Sequence, residues 1–129
     1  MLKDIKSNPI MLTDCYNLSH QELKVNTDWE VSHLYNRAKG MILYGIQEKI
    51  NDFFTIQITN EMVEEAASCA KRMGLYFPIK IWQGIVNDLG GYLPLEIQCV
   101  PEGTWCPKGT PFAQIRNTVK GFGEIRRVA

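Results

Sequence analysis

The sequence predicts an α+β fold, with a short N-terminal strand, about three helices and then an antiparallel β-meander. Two observations lead to this prediction. Apolar residues recur at helical spacing through the middle of the chain, between about 40 and 90. Beyond that point, short apolar–polar alternations are separated by turns that contain Pro and Gly. No repeat or low-complexity tract divides the 129 residues, so they are expected to form a single domain, 1–129.

The first part of the chain combines an irregular segment with one strand. Residues 1–28 are predicted to be irregular, because 9–28 are rich in Asn, Asp, Thr and Ser. Residues 29–36 alternate between apolar and polar side chains and read WEVSHLYN, which predicts a strand. A first helix is expected over about 40–53, where Ile and Phe recur at helical spacing.

The second predicted helix has the clearest boundaries. Asn60 is a suitable N-cap, acidic residues crowd the first turn and Gly74 is suited to the left-handed position after the helix. Its expected buried residues are Met62, Ala66, Ala70 and Met73. A third helix is expected after Pro78, a good first-turn residue, and to end at Gly90. Its expected inward-facing residues are Trp82, Ile85, Val86 and Leu89.

The last third of the chain is predicted to form three short strands. Turns at Pro101–Gly103 and Pro107–Gly109 separate the alternating segments. Nothing in the sequence is expected to cover the edges of this meander, and uncovered edges promote association. The tail, 125–129, has neither a helix stop nor strand alternation. We therefore expect the chain to be an incomplete part of a larger fold.

Composition excludes several function classes. Fourteen basic and fourteen acidic residues cancel, so no overall field would attract nucleic acid or an anionic membrane. The four cysteines form no C-x-x-C pair, which argues against a disulfide framework or a zinc site, and no metal ligands are predicted. With no leader peptide and no apolar run of about 20 residues, a cytoplasmic protein is expected.

Three motifs in order resemble the N-terminal portion of the nicotinamide phosphoribosyltransferase family. NPIMLTDCYNLSH resembles the family signature T-D-x-Y-x-x-[ST]-H, and VSHLYNRAKG resembles the strand that follows it. GYLPLEIQCVPEGTWCPKGTPFAQIRNT is similar to G-x-L-P-[LI]-x-I-x-x-V-P-E-G with its P-x-G turn. Together these matches cover residues from about 8 to 124.

The resemblance implies a pentosyltransferase that acts in NAD biosynthesis through pyridine nucleotide salvage. The family joins nicotinamide to phosphoribosyl pyrophosphate, usually with magnesium, and releases nicotinamide mononucleotide and pyrophosphate. Its members are homodimers, and the N-terminal segment of one subunit reaches into the barrel of the other. Family chains are several times longer, and the barrel with its catalytic residues has no counterpart here. No catalytic residue is therefore assigned, and activity is expected only with a barrel from another polypeptide.

Four substrate-binding residues follow from the resemblance. Tyr16 matches the tyrosine that stacks on the nicotinamide ring, and Asp14 matches an aspartate beside the carboxamide. Arg37 and Lys39 match basic residues that contact the phosphates of phosphoribosyl pyrophosphate. Each has an ordinary alternative: a half-buried loop tyrosine, an Asx-turn aspartate, and two solvated cations ahead of a helix. Because cations are unfavourable at a helix start, the functional interpretation of Arg37 is preferred.

Other reactive residues are given structural roles. His20 is interpreted as a support for the N-terminal loop, and His33 as a rim residue or a satisfied core residue. Cys15 and Cys106 have no histidine at a telling spacing, so a thiol nucleophile is not expected.

Two alternatives to an enzyme part remain open. One is a truncated, non-catalytic interaction module without activity of its own. The other rests on VPEGTWCPKGTPFAQI, which echoes the rhythm of biotinyl and lipoyl carrier domains. Those carriers need a lysine on a hairpin between two matched halves, and the sequence offers no second half.

Overall fold

A computed structural model describes residues 8–13, 27–123 and 125 of the chain. Three α-helices and antiparallel strands confirm the predicted α+β class in this part of the chain. In chain order the elements are a 3-10 helix (Pro9–Leu12), β1 (Val31–Tyr35), β2 (Gly40–Ile42), α1 (Ile46–Phe54), α2 (Asn60–Arg72), α3 (Ile79–Asp88), β3 (Leu95–Cys99), β4 (Trp105–Pro107) and β5 (Pro111–Asn117).

The helices enclose the hydrophobic core. Trp82 and Ile85 of α3 are 2% and 0% exposed, which confirms the predicted inward face of that helix. They pack with Val63 and Ala66 of α2 and with Ile10 of the 3-10 helix. The core therefore depends on a contact between the N-terminal segment and the helices.

Helix α2 shows how local capping decides helix boundaries. The N-cap is Thr59, whose side chain accepts a hydrogen bond from the Met62 amide, rather than the expected Asn60. The buried side chains are Val63, Ala66 and Ala70. Met73 was expected to be buried, but it is the C-cap and is exposed, because the chain turns away at Gly74 with φ +69°.

The first helix begins later than the sequence predicted. Residues 40–42 form strand β2, and α1 starts at Ile46 after Gly45, which has φ +80°. The expected start near 40 was wrong because Ile42 belongs to a strand rather than to the helical apolar face. Strand pairing outweighed the helical spacing here, as tertiary context often does.

The strands divide between two sheets. In a three-stranded sheet, β5 lies between β1 and β3 and pairs antiparallel with both. Strand β4 does not extend this sheet but pairs antiparallel with β2. The three predicted strands exist, but they do not form the expected meander. The middle strand, β4, pairs with β2, whose residues were predicted to be helical. The strands that flank Lys108, β4 and β5, lie in different sheets, which differs from the hairpin of a carrier domain.

The structure explains why the G-x-L-P motif begins with glycine. Gly91 has φ +87°, in the region that favours glycine. Its carbonyl accepts a hydrogen bond from the Ile58 amide at 2.7 Å. A Cβ at this position would collide with the Ile58 carbonyl oxygen. The chain before α2 therefore lies against the turn after α3, and only glycine allows this close approach.

Candidate functional site: a basic loop between two strands

Arg37 and Lys39 lie together in the short loop that joins β1 to β2. Both side chains are exposed. Within the described ranges the ion pairs are Arg116–Glu96 and Lys120–Asp28, and neither involves Arg37 or Lys39. The loop thus presents two unneutralised cations, an arrangement suited to an anionic ligand.

The buried side chain of Asn36 fixes this loop. Its Oδ1 accepts a hydrogen bond from the Ala38 amide at 2.9 Å, which forms an Asx-turn around Arg37. Its Nδ2 donates to the Cys106 carbonyl of β4 at 3.4 Å. The Asn36 carbonyl accepts from the Gly109 amide at 2.8 Å. The residue that begins the loop is therefore fixed through both its side chain and its backbone.

Asn36 was not singled out from the sequence. The signal that could have found it is an asparagine at a strand end, directly before a turn that carries charged residues. Asn side chains commonly bond the backbone amide two residues later, as Asn36 does with Ala38.

Asp14 and Tyr16 lie outside the described residues, and so do His20 and Cys15. Their assigned roles stay predictions. The described segment just before them is firmly attached: Asn8 is 1% exposed and donates from Nδ2 to the Met62 carbonyl and to Glu65 Oε2, each at 2.9 Å. The chain thus enters the T-D-x-Y motif from a fixed position on α2.

The structure also shows where His33 and Trp105 lie. His33 is exposed on β1 and lines an open groove with Gln98 of β3 and Gln114 of β5. Trp105 of β4 is 61% exposed and its ring lies against Gly40. A core position for Trp105 is therefore excluded.

The described ranges contain neither a metal-binding cluster nor a helix that could span a membrane. In these ranges no three His, Cys, Asp or Glu side chains come together as a metal-binding group. The helices found there fall short of the length and apolar character that a transmembrane span requires.

Comparison with known proteins places the chain in a family. The family described as "Nicotinamide phosphoribosyltransferase, N-terminal domain" matches residues 8–97, more than half of the chain. The chain belongs to this family. Its matched range contains the N-terminal motif, the basic loop with Arg37 and Lys39, and the three α-helices.

Two individual proteins are also similar to this chain. A nicotinamide phosphoribosyltransferase from Xanthomonas campestris is 28% identical over an alignment of 116 residues, and the match covers 86% of this chain and 25% of that protein. A crystal structure of human nicotinic acid phosphoribosyltransferase matches with a TM-score of 0.57 at 16% identity, covering 91% of this chain and 23% of that one. At that identity the second match shows a shared fold. The chain spans about a quarter of the length of each relative.

Proposed function

We propose that the chain is the N-terminal part of a nicotinamide phosphoribosyltransferase and that another polypeptide completes its active site. The reaction would join nicotinamide to phosphoribosyl pyrophosphate and release nicotinamide mononucleotide and pyrophosphate. The observation that carries the proposal is the loop of Arg37 and Lys39, which is exposed, free of ion pairs within the described ranges and fixed by Asn36. Its place in a chain that belongs to this family supports a phosphate-binding role.

Arg37 and Lys39 would bind the phosphates of phosphoribosyl pyrophosphate. Arg37 offers a planar pair of donors to two phosphate oxygens, and Lys39 adds a point charge. Because the loop is held by backbone hydrogen bonds, little conformational entropy would be lost when the anion binds. Magnesium would arrive with the same phosphates and neutralise the negative charge that Arg37 and Lys39 do not balance.

Tyr16 and Asp14 would bind the pyridine. A tyrosine ring can stack on the electron-poor nicotinamide ring. The Asp14 carboxylate would accept a hydrogen bond from the carboxamide NH2 and repel the carboxylate of nicotinic acid, so it would favour the amide over the acid. The remaining walls of the pocket would come from the barrel of the second polypeptide, in a homodimer or a heteromeric complex.

The test is product formation by an assembled pair. The chain is co-expressed with a barrel-bearing polypeptide, such as the Xanthomonas campestris relative without its own matching N-terminal portion, and the complex is purified. We expect nicotinamide mononucleotide from nicotinamide and phosphoribosyl pyrophosphate, and less discrimination against nicotinic acid in Asp14→Asn. An assembled complex that forms no product rejects the proposal.

The alternative is a non-catalytic interaction module. The exposed apolar side chains on and beside the β2–β4 ribbon favour a protein partner under either hypothesis: Ile42, Tyr44 and Trp105 are 63%, 89% and 61% exposed. A stable complex without product formation would support the module. Product formation that depends on Arg37 would support the enzyme.

A further inference from the structure

The basic loop is tied to a second turn at both ends. The second turn, Pro107–Gly109, joins β4 to β5 and carries Lys108. At one end, Gly40 is the register partner of Pro107. At the other, the Gly109 amide donates to the Asn36 carbonyl at 2.8 Å. Since both residues that flank Lys108 contact residues that bracket the Arg37–Lys39 loop, the two turns lie directly side by side.

The charges in the two turns have one sign. Residues 36–40 read NRAKG and residues 107–110 read PKGT, so the turns contain three cations and no acid. Lys108 is exposed, and the two ion pairs of the described ranges do not involve it. The nearest acid in sequence, Glu102, is engaged elsewhere, since its Oε1 accepts a hydrogen bond from the Gln47 amide of α1. In a chain whose total charge is zero, this is a local positive patch.

We propose that Lys108 is a further binding residue for the pyrophosphate group, acting as the third cation beside Arg37 and Lys39. The inference rests on the proposed function and deepens it. A pyrophosphate group spreads its charge over two phosphorus centres, so it is bound best by cations that approach from more than one direction. The loop supplies two cations from β1–β2, and Lys108 supplies one from β4–β5. Asn36 and Gly109 hold the two sources at a fixed separation.

The experiment is a titration of the full chain with inorganic pyrophosphate, followed by amide chemical shifts in ¹H–¹⁵N NMR spectra at low ionic strength. We expect the shifts to concentrate at Arg37–Lys39 and at Lys108–Gly109. Lys108→Ala should weaken binding about two- to fivefold, the range of a single exposed charge contact. Lys108→Arg should keep most of the affinity, because it keeps the charge.

Lys80→Ala is the matched control, because it removes another exposed lysine, from α3, an element outside the two turns. Unchanged affinity in Lys108→Ala, with weaker binding in Arg37→Ala, would overturn this inference and leave the proposed function standing. Pyrophosphate that shifts neither turn, or affinities that are equal in Arg37→Ala and Lys80→Ala, would also overturn this inference, whereas the proposed function is rejected separately, by an assembled pair that forms no product. Amide shifts elsewhere in the spectrum verify that each variant is folded.

Discussion

Three buried asparagines hold the irregular parts of the molecule. Asn8, Asn36 and Asn117 are the buried polar residues of the described ranges, at 1%, 8% and 3% exposure. Asn117 Nδ2 donates to the Asp28 and Val119 carbonyls, and its Oδ1 accepts from the Glu30 amide. Asn36 and Asn117 bond backbone groups of loops, whereas Asn8 links the 3-10 helix to α2. Substitution of Asn36 or Asn117 is therefore expected to act on the loops that these side chains hold.

The first prediction concerns Asn36. Asn36→Ala removes the acceptor for the Ala38 amide and the donor to the Cys106 carbonyl. We expect the free energy of unfolding to fall by about 1–3 kcal/mol, because a polar group at a buried position is left unsatisfied. Chemical denaturation measures the change, and Thr110→Ala, an exposed substitution in the neighbouring turn, is the control. Equal stabilities of the two variants would contradict the role of Asn36.

The second prediction compares two adjacent glycines. Gly90 and Gly91 both have positive φ, but only at Gly91 would a Cβ meet the Ile58 backbone, whereas at Gly90 it meets nothing within 4 Å. Gly90→Ala should cost about 1 kcal/mol of unfolding free energy, from the left-handed backbone alone. Gly91→Ala should cost at least about 2 kcal/mol, since the collision adds to that strain. Similar costs would show that the close approach is unimportant.

For single residues, the sequence predicted burial better than it predicted functional roles. Trp82 and Ile85 were predicted to be buried from their helical spacing alone, and both are. Arg37 and Lys39 were assigned from the resemblance, and their exposure agrees with that assignment without testing it. The Asx-turn of Asn36 has a local sequence signal, but its contacts with Cys106 and Gly109 could not be predicted, because these partners lie about 70 residues away in sequence.

The elements themselves were predictable where their signals are local. Helices α2 and α3 follow from periodicity and capping, and their bounds are close to those expected. The pairing of β4 with β2 was not predictable, because both strands are three residues long and lie far apart in sequence. A strand of three residues shows little alternation of apolar and polar side chains, so the residues of β2 were predicted to be part of the first helix.

The third prediction concerns the β3–β5 pair. Glu96 lies opposite Arg116, and their side chains form an ion pair at 2.6 Å. The hydrogen bond from Arg116 lowers the pKa of Glu96 below its ordinary value. A lowered folded-state pKa stabilises the fold above the unfolded-state pKa, and this contribution is lost as pH falls through the folded-state value.

The Glu96→Gln variant tests whether the stability that this ion pair contributes is present near pH 7 and lost in acid. The variant should be slightly less stable than the natural chain near pH 7, and the difference should become smaller at an acid pH, as the pH falls through the lowered pKa of Glu96 and the carboxylate takes up a proton. Urea denaturation at both pH values measures it, and added salt should reduce the difference near pH 7 because both side chains are partly exposed. A difference that is the same at both pH values would contradict the role of the ion pair.

At the scale of the whole molecule, the chain has an apolar surface that its own core does not use. Ile42 and Trp105 are register partners on the β2–β4 ribbon, and Tyr44 lies two residues after the end of β2. Contiguous apolar side chains at these exposures are typical of protein interfaces. The proposed assembly with a barrel-bearing polypeptide would give them a partner.

The fourth prediction follows from this surface. Trp105→Ala should weaken the complex with the barrel-bearing polypeptide about tenfold or more, because interface tryptophans often dominate binding energy. Light scattering after size-exclusion chromatography measures the complex. Tyr76→Ala, which truncates an exposed aromatic residue after α2, is the control. Equal weakening by both variants would place the interface elsewhere.

The central claim is that this chain contributes phosphate-binding cations to an active site that a second polypeptide completes. Its most direct test is the kcat/KM for phosphoribosyl pyrophosphate of the assembled pair, measured for Arg37→Ala and for Lys80→Ala at matched assembly. We predict that Arg37→Ala loses about tenfold or more, the effect of one charge-assisted hydrogen bond to the substrate, while Lys80→Ala keeps the natural value. Equal values for the two variants in fully assembled complexes would contradict the claim.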